Sequence, residues 1–118
     1  MEENRIMLEE NRYMPNLLKA MPGAFGGGIR EIKYIQMRDE HPEKISAMRS
    51  YRELDEYLDE MERLYLSEYN RLWMETEPSE EKLTAMLREN RFEEAEGMER
   101  EKHLTCRTMA LETMLAAV

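Results

Sequence analysis

The sequence predicts an all-α fold: a small helical domain built on a long antiparallel helical hairpin, preceded by a short N-terminal arm, irregular or hairpin-like. Three observations lead there. Charged residues fill 36% of the 118 positions, with only five glycines and four prolines, a composition of helices rather than of a sandwich or barrel. Apolar residues recur at three- and four-residue steps over the C-terminal two-thirds of the chain. Between two such segments stands Thr76-Glu77-Pro78-Ser79-Glu80-Glu81, which reads as a stop and restart. Proline fits an opening turn, Ser79 can cap, and acids suit the positive end of a helix dipole. The length fits a single domain, 1–118, able to bury a modest core.

Residues 1–28 form the arm and its connector. Positions 5–17 alternate weakly around Glu10-Asn11, the pattern of a short hairpin that would be marginal alone. Residues 22–28, PGAFGGG, hold four of the five glycines. They lack the spacing and the Lys-Ser/Thr of a phosphate loop, so a flexible connector is the reading. Residues 29–51 then predict short helices. Ile29, Ile32 and Ile35 recur every three residues up to His41, where Pro42 disfavours continuation. Pro42 opens the next turn, with Ile45, Met48 and Tyr51 inward.

The long helix spans 53–75. Leu54, Leu58, Met61, Tyr65 and Leu72 form its stripe, widened by Tyr57 and Leu64, over roughly 34 Å. Its partner is 79–116. Leu83, Met86 and Leu87 begin a stripe there, and Leu104, Thr108, Leu111, Leu115 and Val118 end one at heptad spacing. The stretch between is mostly charged and contains Gly97, so a kink or break is expected between Asn90 and Gly97. The expected hairpin core gathers Leu54, Leu58, Met61, Tyr65, Leu72, Leu83, Leu87, Leu104, Leu111 and Leu115.

Charge supplies the strongest functional signal. The formal net charge is −9, and residues 51–103 hold 17 acids against eight bases, so the whole excess sits there. Six acids stand within ten residues: Glu53, Asp55, Glu56, Asp59, Glu60 and Glu62. With the apolar stripe inward, they make an anionic ridge that is either a solvated helix face or a surface for a basic partner. Direct nucleic-acid binding through this stretch is disfavoured, because phosphate contacts rely on Lys and Arg. Trp73, near the helix end, is the candidate interface anchor. Tyr57, Tyr65 and Tyr69 can bury a ring and leave a hydroxyl at the rim.

No catalytic constellation emerges. His103 and Cys106 stand three apart, but a structural zinc site needs four ligands. No Glu-x-x-His pair of the di-iron type occurs. The expectation is a non-enzyme with no cofactor and no bound metal. One cysteine, no apolar run of membrane-spanning length and no signal-peptide core predict a soluble cytoplasmic protein.

Several residues carry a family resemblance. Asn11-Arg12-Tyr13-Met14-Pro15-Asn16-Leu17 is similar to the aromatic-x-Pro-Asp/Asn-Leu entry of the transposon-encoded TnpV-type proteins. Gly27 or Gly28, Arg30, Tyr34 and His41 follow in the order of that family. Leu54 and Leu58 then open a long acidic helix, and Leu111-Glu112-Thr113-Met114-Leu115 closes a terminal one. Arg12 stands where that family has a turn glycine, and Phe92-Glu93-Glu94-Ala95 replaces its aromatic-rich segment. The resemblance implies a bacterial mobile-element context and no established catalytic residues. Two functions fit. One is an acidic inhibitor of the anti-CRISPR or other anti-defence type, a DNA mimic occupying a basic nucleic-acid-binding surface of a host nuclease. The other is a transposition accessory protein that self-associates, as a homodimer, through the stripes at 54–72 and 104–118.

Overall fold

A computed structural model describes residues 27–117. The arm at 1–26, with its expected hairpin, most of its connector and the Asn11–Leu17 motif, lies outside the described residues, as does Val118. All regular structure among the described residues is helical: α1 (Gly28–Glu40), α2 (Pro42–Ser46), α3 (Tyr51–Glu75), α4 (Glu80–Arg88) and α5 (Phe92–Ala116). The chain divides into two compact units, Met1–Arg63 and Leu64–Val118, with the boundary inside α3.

The first unit contains α1, α2 and the first half of α3. Gly27 and Gly28 take positive φ, 70° and 58°, a conformation glycine adopts without a Cβ penalty, and α1 starts from that turn. Pro42 does open α2. Ser50 caps α3, its Oγ accepting from the Glu53 amide at 3.2 Å, and the helix begins two residues before the expected Glu53. Tyr34, Met37, Ile45, Leu54 and Leu58 form the core, with Met48 and Tyr57 packed on it. Two expectations need correction. The inner line of α1 is Tyr34 and Met37 with Lys33 rather than the isoleucines, for Ile35 is 40% exposed. Tyr51 belongs to α3 and is exposed.

In the second unit, Ser79 caps α4 as expected, accepting from the Lys82 amide at 3.1 Å. The expected 79–116 helix is two helices, broken at its early limit. Asn90 takes φ 64°; its amide donates to the Leu87 carbonyl at 3.1 Å and that of Arg91 to Met86 at 3.0 Å. This paired closure satisfies carbonyls that a helix end leaves open. Gly97 breaks nothing and lies within α5.

The expected core is partly redistributed. Leu54 and Leu58 pack with α1 and α2 rather than with the other residues of the expected core. Tyr65, Leu72 and Leu83 are buried, but Leu87 (46% exposed) and Leu104 (53%) face outward. Leu111 and Leu115 are half-buried. Instead α5 buries Ala95, Lys102, Cys106, Ala110 and Met114. The last four lie one turn apart, and their small members permit close helix approach.

Gly97 generates a prediction. A Cβ built there meets nothing within 4 Å, and the residue is helical. Gly97→Ala should therefore stabilise the protein by about 0.5–1 kcal/mol through reduced backbone freedom in the unfolded chain. Urea unfolding checks this, with an unchanged m-value and a higher midpoint.

Candidate partner-binding surface

The six acids of the ridge separate into two groups. Asp55 and Asp59, one turn apart on α3, both grip the Arg30 guanidinium of α1. Like charges at this spacing repel, and a single shared cation offsets that repulsion. Arg30 is only 13% exposed, which makes this more than a screened surface pair. These two acids hold α1 to α3, and one of their two charges is offset by Arg30.

Of the other four, Glu56 and Glu60 are exposed, Glu53 is half-buried beside them, and Glu62 is half-buried on the Asp55 side of the helix. Glu53 meets Arg49 at 3.7 Å and Glu56 meets Arg52 at 3.3 Å, but those arginines are 90% and 86% exposed, so the pairs are weak and salt-sensitive. Glu60 and Glu62 have no ion-pair partner among the described residues. Tyr57 departs from the rim position expected of it. Its hydroxyl is buried without a hydrogen-bond partner, and burial, followed by the charge of Glu60, pushes its pKa up.

Trp73 lies in the second unit and is held by its neighbours. Its ring stacks on Tyr69 at 5.9 Å between centroids, with 19° between planes. Lys102 Nζ sits 4.2 Å from the ring centroid, and the indole N–H donates to Glu80 at 2.9 Å. The half-buried ring thus packs within its own unit. Lys102 is 3% exposed and donates to the Pro78 carbonyl at 2.7 Å. A buried ammonium requires such partners, because desolvation without them is costly. Nothing in the sequence marked Lys102 as internal except its place four residues before Cys106.

His103 and Cys106 do not act together. Cys106 is fully buried, whereas His103 is exposed and Tyr69 Oη lies 2.7 Å from its Nδ1. Among the described residues no three His, Cys, Asp or Glu side chains converge on a common point. The grooves are open. The widest described, about 510 Å³ beside Pro78 and Lys102, is lined by Lys82, Met98, Glu101 and Thr105 among others.

Other exposed residues escaped the sequence reading. Met74 is 81% exposed and Phe92 58%, so each offers more open apolar surface than Trp73. The chain matches no protein-family model, and no curated protein or solved structure shows significant similarity to it.

Two predictions follow from the Trp73 cluster. Lys102→Ala removes the hydrogen bond to Pro78 and the cation over the indole, and should cost about 2–4 kcal/mol, read by Trp73 fluorescence during urea unfolding. The second is alkaline. Burial, then the charges of Cys106, Tyr65 and Glu99, raise the Tyr69 pKa above its ordinary 10.0. The folded state therefore holds this proton longer than the unfolded one. The associated stability is complete below the unfolded pKa and declines as pH rises from there through the folded value. Tyr69→Phe should make stability fall less steeply in that alkaline window, as measured by unfolding at a series of pH values.

Proposed function

We propose that this chain is a non-enzymatic acidic binding protein whose α3 face engages the basic nucleic-acid-binding surface of another protein. The observation that carries the reading is the outer line of Glu53, Glu56 and Glu60. Among the described residues Glu60 has no ion-pair partner, and Glu53 and Glu56 have only exposed, screened ones. Such a line sets up a field that attracts a basic groove and speeds encounter. Asp55 and Asp59 act differently, holding Arg30 and supporting the ridge from behind. The TnpV-type resemblance supports a mobile-element setting, in which inhibition of a host nuclease, a CRISPR effector among them, is the role that suits an acidic protein. That last step is analogy.

The test is cleavage by a panel of purified CRISPR effector nucleases, each loaded with its guide, with and without this protein over a salt series. Inhibition of at least one enzyme that weakens with salt is expected. The triple variant Glu53→Gln, Glu56→Gln, Glu60→Gln should fold like the parent and inhibit less, mainly through a slower on-rate at low salt. Arg30→Ala should instead lower the stability of the first unit. Inhibition unchanged by the triple variant, or none across the panel, overturns the proposal.

A further inference from the structure

We infer that the outer face of α5 is a docking surface for a second copy of this chain, paired in parallel. Leu104, Thr108, Leu111 and Leu115 follow one another by four, three and four residues, the spacing of a coiled-coil seam. The helix leaves the N-terminal half of this seam outside and covers the rest in part. Its buried line is Lys102, Cys106, Ala110 and Met114, and the leucine line lies roughly 150° further around the helix. Leu104 is 53% exposed, Thr108 is exposed, and Leu111 and Leu115 are half-buried. A self-consistent heptad turned away from the chain's own core is a pattern that a partner helix would complete.

The flanking charges indicate which helix, and in which direction. With Leu104 and Leu111 at d and Thr108 and Leu115 at a, Arg107 falls at g and Glu112 at e of the next heptad. They stand five residues apart on opposite sides of the seam, so they cannot pair within one helix. Neither has an ion-pair partner among the described residues. In a parallel pair of identical helices, each g side chain meets the following e side chain of the other. Arg107 of each copy would then meet Glu112 of its partner, twice by symmetry. An antiparallel pair sets g against g and e against e, which matches no opposite charges here. Glu101 occupies the preceding a position, where like charges would meet, and it ends the seam at Leu104. The remaining length, Leu104 to Leu115, is about 18 Å, short enough for the association to be reversible.

Sedimentation equilibrium of the full chain over a wide concentration range is the primary test, and a monomer–dimer equilibrium is expected. Leu104→Lys changes an exposed position and should weaken it roughly tenfold or more without loss of helicity. Arg107→Glu and Glu112→Arg should each weaken self-association. Mixed one to one, they should form a heterodimer, because both g–e contacts then join opposite charges. Leu104→Cys places two thiols face to face in the parallel pair and should oxidise to a covalent dimer, whereas the parent chain, with Cys106 buried, should not. A protein that stays monomeric throughout overturns the inference. So does a dimer that ignores the charge variants and does not cross-link through position 104.

Discussion

The second unit depends on the burial of one cation. Lys102 is sealed from solvent, and a desolvated ammonium is tolerable only with partners. Those partners come from two other places in the chain: the Pro78 carbonyl in the turn after α3 and the Trp73 ring near the end of α3. Satisfying Lys102 therefore fixes the rotation of α5 about its own axis. Once Lys102 points inward, so do Cys106, Ala110 and Met114, and the leucines must face away. Rotating α5 to bury Leu104 fully would gain about 1 kcal/mol, since half of that side chain is already covered. It would also release the ammonium from Trp73 and leave Pro78 without its donor.

A comparable division organises the first unit. An unopposed run of six acids would strain a helix through repulsion at every turn. Arg30 relieves this on one side by drawing in Asp55 and Asp59, next to the core residues Leu54 and Leu58. The same helix thus carries two kinds of carboxylate. Those facing α1 are structural, and those facing solvent retain the capacity to act at a distance. Composition cannot separate them, since all six have the same charge.

What the sequence made legible, and what it did not, divides along the same physical lines. Signals local to the backbone were readable: the proline-marked turn, the Ser79 cap, the opening of α2 at Pro42, and a break before Gly97. Capping and turn chemistry act within four residues and need no knowledge of the partner. The buried line of α3 was also legible, because Leu54, Leu58, Tyr65 and Leu72 recur at helical spacing and all are buried, whereas Leu66, off that line, is 49% exposed and Met61 is half-buried. The inner faces of α1 and α5 were not. There the more apolar line lost to one containing a lysine, since the choice was made by Pro78 and Trp73 in one case and by the packing around Tyr34 in the other. Hydrophobic periodicity measures amphipathicity; it cannot recognise a cation whose partners lie in another element. Arg30 was invisible for the same reason, as a long-range partner to acids twenty-five and more residues away.

The two outward surfaces obey different physics, and this separates their roles. The α3 carboxylates act through a field that ions screen over about 8–10 Å at moderate ionic strength, so whatever they contact is sensed early in an encounter and weakly in concentrated salt. The α5 leucines act by excluding water, which strongly hydrated salts reinforce rather than weaken. Only the Arg107 and Glu112 flank adds a salt-sensitive element there, and its contribution is to direction more than to strength. Association through α5 should therefore persist at salt concentrations that abolish attraction through α3. If both proposed attachments exist, the chain would retain its own copy while releasing a charged partner, because the two answer to opposite changes in the solvent.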